Sequence, residues 1–206
     1  MKVDLGGQPH EMQMDSQLVW DLEAKVSGDQ TALQPPADAI EVRDLQTYLL
    51  KGGTDALLGQ AAPLVPAKLL DGTDWDLAKH RGRQVVVLFF HATWAVPSTQ
   101  DMPAVLAFID QYAQRGVAFY AVNVGESRET VRAFMESLKY THPVVLDLEQ
   151  KAAEAYRVTS LPVTVLIGKD GTLQAVHVGT APEARALIRQ DLQPLLEGKQ
   201  LVETKK

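Results

Sequence analysis

Phe89-Phe90-His91-Ala92-Thr93-Trp94-Ala95-Val96-Pro97-Ser98 follows an apolar run, Val85-Val86-Val87-Leu88, and leads into a helical pattern. Residues apolar at every position, rather than at every second one, are what a strand covered on both faces requires. The segment 85–90 is therefore expected in the middle of a sheet. Pro97 suits the first turn of a helix, and Met102, Val105, Leu106, Ile109 and Tyr112 then recur on one side as far as the stop at Gly116. Pro103, inside that pattern, should kink the helix.

Downstream the alternation continues. Val117 to Val124 reads as a second buried strand, and Ser127 as the cap of a helix from Arg128 to Lys139 with Val131, Phe134, Met135 and Leu138 inward. His142 to Asp147 is a short extended piece, and Gln150 to Tyr156 a short helix. Val163–Ile167 and Thr172–Val178 flank Lys169-Asp170-Gly171 as an antiparallel hairpin, and a closing helix runs from Pro182 to about Leu196, where Pro194 should shorten it. This order predicts an α/β fold, with a mixed sheet and helices on both faces.

Upstream, the Asp71-Gly72 pair between Leu64–Leu70 and Thr73–Leu77 predicts a β-hairpin placed before the main sheet. The spacing of Ile40, Leu45, Leu49 and Leu50 predicts a short connecting helix over 39–51, stopped by Gly52-Gly53. Residues 17–26 alternate partly at a strand period before the break Gln34-Pro35-Pro36-Ala37. Such a piece cannot bury an apolar face alone, so it should pack on the main domain or be the end of an upstream domain. Its strand-then-Pro-Pro-Ala pattern is similar to the last strand of bacterial lipoprotein-carrier-like domains. The expected organisation is a β-containing extension and connecting helix over 1–58, the main domain over 59–198, and a tail over 199–206 whose closing Lys205-Lys206 is expected to be solvated.

With 206 residues, 46% hydrophobic and 22% charged, the chain can hold one domain with an appendage. No apolar run is long enough to span a bilayer, and a net charge of -6 argues against a nucleic-acid footprint. Met1 to Gly7 has no apolar core segment and is not expected to be a signal peptide, so the protein is cytosolic or lacks its leader. The sequence contains no cysteine, which excludes disulfides, thiolate metal sites and thiol catalysis in the chain as it stands. The histidines His10, His80, His142 and His177 show no metal-ligand spacing; no metal and no cofactor is expected.

Residues from about 59 to 196 resemble the TlpA/ResA-type branch of the thioredoxin superfamily. The resemblance rests on Gly59 to Pro63, Ala92-Thr93-Trp94, Pro97, Met102-Pro103, Tyr156-Arg157-Val158, Leu161-Pro162 and Leu166-Ile167-Gly168-Lys169-Asp170-Gly171. It implies a thioredoxin-like fold and a thiol-disulfide oxidoreductase ancestry, with a place in the bacterial periplasm or cell envelope. In that family a Cys-x-x-Cys motif stands at a helix N-terminus, where unpaired N–H groups and the helix dipole lower the pKa of the first thiol. The two cysteine positions map onto Ala95 and Ser98, so the catalytic positions carry no reactive group. The resemblance also implies a cis peptide at Leu161-Pro162, and a groove for a protein or extended peptide with Trp94, Pro97, Leu161 and Pro162 beside it.

Two explanations fit the missing sulfur: an oxidoreductase whose cysteines were replaced, and a naturally non-redox binding module. Ser98 as an oxygen nucleophile with His91 as base finds no acid or oxyanion arrangement in the sequence. The simpler expectation is a Ser98 hydroxyl bonded to backbone at the helix start. His91, where the family usually has an aromatic residue, is expected as a partly buried packing group. Trp20 and Trp75 read as packing residues, and Glu126, Glu129 and Glu136 as a solvated face.

Overall fold

The structure, a computed structural model, describes residues 2–4, 9–11, 53–179 and 182–204. The strand and break expected within 17–37 and the helix expected over 39–51 lie outside the described residues. The chain divides into two compact units, Met1–Glu41 and Val42–Lys206. In the first, β1 (Lys2–Asp4) and β2 (Pro9–Glu11) pair antiparallel.

In the second unit the apolar run becomes β4 (Val85–His91), in which every residue is buried. It lies inside a six-stranded sheet, between β5 (Val117–Val124), which is parallel to it, and β7 (Val163–Ile167), which is antiparallel. Beyond β5 comes β6 (Val144–Asp147), then β3 (Lys68–Leu69) at one edge; β8 (Leu173–Val178) forms the other. The helices are α1 (Val96–Asp110), α2 (Arg128–Ser137), α3 (Lys151–Ala155) and α4 (Pro182–Leu196). Pro103 and Pro194 both lie inside helices that run on past them.

Alternation along β4 divides the core. Val85, Val87 and Phe89 join Met102, Val105 and Ile109 of α1, Val131 and Met135 of α2, and Ile188, Leu192 and Leu195 of α4. Val86, Leu88 and Phe90 face the other way, onto Leu57, Trp75 and Leu77 of the preceding segment, Ala152 of α3, and Tyr156. Each face of the strand thus has its own apolar cover, which is why the sequence shows no polar alternation there.

Three expectations change. The Asp71-Gly72 turn forms, with Gly72 at φ 96 and its N–H donating to the Leu69 carbonyl at 2.9 Å. The arms pair as a hairpin, with an antiparallel Lys68–Asp74 bridge and the Leu69 and Trp75 N–H groups donating to the Thr73 and Ala67 carbonyls at 2.8 and 2.9 Å. The hairpin is not separate from the main sheet, because Lys68 and Leu69 also pair with Leu146 and Val145 of β6. A two-residue strand needs a wider sheet to hold it. The extended piece at 142–147 is accordingly an internal strand, parallel to β5. The expected tail is docked as far as Val202: the Leu201 and Val202 N–H groups donate to Gln174 Oε1 at 2.7 and 3.2 Å. Gln174 is buried on β8, and an unpaired amide there would be costly.

Candidate functional site

The parallel strands β4, β5 and β6 end at one rim of the sheet, where ligands of open α/β sheets gather. At this rim β4 passes into the loop 92–95 and then into α1. Ala95 is the N-cap, in extended backbone conformation at φ -79 and ψ 98, and supplies no side-chain cap. Its carbonyl accepts from the Ser98 N–H at 2.8 Å and the Thr99 N–H at 3.1 Å, closing the first turn. A proline occupies the start of the helix, where its missing N–H costs nothing.

The motif is exposed at its flanks and buried at its mapped reactive positions. Trp94 is 69% and Val96 57% exposed, whereas Ala95 is 5% and Ser98 0% exposed. Antiparallel pairing of Phe90 with Val163 brings the Leu161-Pro162 dipeptide alongside the exit of β4. The Leu161–Pro162 peptide bond is cis, and the Pro162 carbonyl accepts from the Gly179 N–H at 2.9 Å. The structure therefore brings Trp94, Ala95, Ser98, Leu161 and Pro162 to one rim, with residue 97 at the helix start between them.

Below the rim two expectations fail. Ser98 does not bond to backbone through its hydroxyl: Oγ is buried and has no hydrogen-bond partner among the described residues. It lies one turn before Met102 on the stripe that faces the sheet, so its side chain points into the core rather than back over the helix end. His91 is not partly but fully buried, at 0% exposure, with its ring stacked on Phe89 at 5.9 Å and 11°. Neither ring nitrogen has a partner among the described residues. Burial holds the His91 pKa down to about 4, and the Glu126 carboxylate opposes that shift.

Glu126 is the residue that the solvated-face reading missed. Its carboxylate accepts from the Thr93 N–H at 2.6 Å, from the Thr93 hydroxyl, and from Asn123 Nδ2 at 2.7 Å. It thereby ties the loop that carries Trp94 to the end of β5. The available signal was positional: a carboxylate directly after Gly125, where a buried strand ends. Gly125 sits at φ +74, and a Cβ there would meet Gln150 Nε2 at 3.0 Å, so the turn that delivers Glu126 needs glycine. Glu126→Gln keeps the shape but loses the charge. Its oxygen can still accept from the Thr93 N–H and Asn123 Nδ2, while its NH2 meets the Thr93 hydroxyl, which must turn from donor to acceptor, so three charge-assisted bonds become neutral ones. We expect it to cost about 2 kcal/mol, read as a lower urea midpoint with an unchanged slope. An unchanged midpoint would show that the clamp carries no net energy.

Residues 58–176 match the model of the AhpC/TSA family. The chain is 33% identical over 144 residues to the thiol-disulfide oxidoreductase ResA of Geobacillus thermodenitrificans, covering 70% of this chain and 79% of that protein. To the thioredoxin-like protein YneN of Bacillus subtilis it is 34% identical over 137 residues, covering 65% and 79%. Among solved structures, one assigned as thiol:disulfide interchange protein DsbE of Chlorobium tepidum superposes with a TM-score of 0.63 at 25% identity, covering 68% of this chain and 97% of that one.

Proposed function

From a chain that belongs to the AhpC/TSA family, in its TlpA/ResA-type thioredoxin-like branch, we propose a redox-inactive domain that docks an extended peptide or protein segment across the rim beside Pro162. The observation that carries this reading is the contrast at the motif. Trp94 and Val96 present apolar surface to solvent on either side of Ala95, while the chain has no cysteine to react with anything held there. Thiol-disulfide exchange requires an attacking thiolate. What the rim retains is the apparatus for holding a partner: an aromatic on a clamped loop, a helix start, and the Leu161-Pro162 backbone beside them. The proposed binding residues are Trp94, Pro97, Leu161 and Pro162, with Ala95 and Ser98 as the former reactive positions. The working unit is taken as 59–198 with 1–58 as an extension, and the family points to the bacterial cell envelope.

The second reading, replacement of the cysteines in a working oxidoreductase, is favoured by Ser98. Ser98 Oγ has no hydrogen-bond partner among the described residues, whereas a thiol at a buried position behaves as a small apolar group that needs none.

The docking reading is tested by titrating the protein with a permanently unfolded, cysteine-blocked polypeptide and mapping amide shifts by NMR. Perturbations are expected around 94–98 and 161–163. Trp94→Ala should weaken binding roughly 30-fold, the scale of an aromatic hot spot worth about 2 kcal/mol. Shifts spread elsewhere, or an affinity indifferent to Trp94→Ala, would reject the rim as the docking surface.

A further inference from the structure

Behind the rim lies a group of buried polar atoms that neither thiol chemistry nor docking uses. Four side-chain atoms there have no hydrogen-bond partner among the described residues: His91 Nδ1, His91 Nε2, Ser98 Oγ and Asn123 Oδ1. They belong to one layer. His91 and Asn123 are register partners on the parallel strands β4 and β5, so their side chains leave the sheet on the same side. That side is the one on which Phe89, Ala121 and Phe119 meet α1, because the ring of His91 stacks on Phe89. Ser98 enters the same layer from the first turn of α1, one turn ahead of Met102. All three residues are completely buried.

The chemistry of the group selects its occupant. A neutral imidazole supplies one donor and one acceptor, the serine hydroxyl supplies a donor, and Asn123 Oδ1 supplies an acceptor. A cation would meet the N–H of His91 and the N-terminal end of α1. An anion would meet the Asn123 carbonyl oxygen, with the Glu126 carboxylate bonded to the other end of the same amide. A small neutral molecule that both donates and accepts can serve one ring nitrogen of His91 together with Ser98 Oγ and Asn123 Oδ1.

We propose that this layer, between the ends of β4 and β5 and the first turn of α1, is an internal water site in which at least one ordered water is held by His91, Asn123 and Ser98. Buried waters typically make about three hydrogen bonds to polar groups that the protein leaves unpaired, and the three side chains here supply that number of partners. The site replaces apolar packing beneath the motif by a hydrogen-bonded one. The water bond to one His91 ring nitrogen favours one tautomer of the neutral ring.

The test needs no docking partner, so its outcome is separate from that of the docking reading. A crystal structure of the whole chain at water-resolving resolution is expected to show density within hydrogen-bond distance of a His91 ring nitrogen and of Asn123 Oδ1 or Ser98 Oγ. In solution, ring 15N shifts of His91 should report hydrogen-bonded nitrogens, with magnetisation transfer from water to the ring N–H. Ser98→Ala should change those shifts, and His91→Phe should abolish the transfer and the density together. A direct His91–Asn123 or His91–Ser98 hydrogen bond without water density would overturn the proposal. So would ring shifts of free nitrogens. Should His91→Phe fail to fold, the unmodified protein and Ser98→Ala still decide between these outcomes.

Discussion

Ala95→Cys combined with Ser98→Cys is expected to turn a chain with no thiol chemistry into one that reduces protein disulfides. In doing so it should close its own, a loss of two hydrogens by mass spectrometry. The expectation follows from the helix start. Position 95 is the N-cap of α1; Ala95 itself is buried, but it is flanked by Trp94 and Val96, both exposed, so a sulfur added at its Cβ would lie next to open surface. The positive end of the helix dipole would lower its pKa from about 8.5 toward 7. Position 98 is one turn along and fully buried, the place of a resolving thiol that substrate cannot reach directly. Attack by the first thiolate on a substrate disulfide releases one substrate thiol and leaves a mixed disulfide. Attack by the second releases the other substrate thiol and leaves the internal disulfide, so electrons balance. Ala95→Cys alone should stop at the mixed disulfide, and Ser98→Cys alone should react slowly with thiol reagents. Turnover of insulin disulfides, with dithiothreitol re-reducing the internal disulfide after each cycle, and the pH dependence of alkylation measure this. An ordinary thiol pKa with no turnover would mean that the likeness at the motif is one of backbone only.

Acidification is expected to remove about 3 kcal/mol of stability between pH 6.5 and pH 4 through His91 alone. The folded pKa of about 4 lies below the unfolded value of 6.5, so the unfolded chain takes up a proton first as pH falls. Stability from the neutral ring is whole at pH 7, declines once pH falls below 6.5, and is gone below about 4. A displacement of about 2.5 units at 1.36 kcal/mol each sets the size. Desolvation is the main cause; Glu126 opposes it, and its carboxylate already accepts three hydrogen bonds. His91→Phe keeps the stack on Phe89 and removes the titrating group, so most of this pH dependence should vanish from urea midpoints measured at pH 7 and 4.5. His80, whose pKa burial also lowers, leaves a smaller residue of the same sign. Equal pH dependence in the variant and the parent would show that His91 is hydrated well enough to ionise in place.

The β4 strand, its flanking helix and the second buried strand were legible because their residues carry periodic apolar patterns that only a covered sheet can use. The rim itself was legible from Trp94, Ala95, Ser98 and Leu161-Pro162, since a proline before one strand and a helix start after another mark two chain segments that the fold brings together. Lys68-Leu69 was harder. Two residues have no period, and whether they end as a private hairpin or as the edge of the main sheet depends on β6, some 75 residues further on. Glu126 was misread for a related reason: its acceptor role exists only once the loop after β4 lies beside the end of β5.

Sequence by itself determined the α/β order and the absence of cysteine sulfur, because these follow from local periodicity, turn residues and composition, while the thioredoxin-like frame came from the resemblance carried by Ala92-Thr93-Trp94, Pro97 and Leu161-Pro162. Tertiary structure alone decided which polar groups are satisfied. Glu126 gains three donors, Gln174 holds the C-terminal residues, and His91 and Ser98 are sealed without a protein partner. Hydrogen-bond satisfaction is a relation between segments distant along the chain, and burial sets its energy, so no pattern within one segment can announce it.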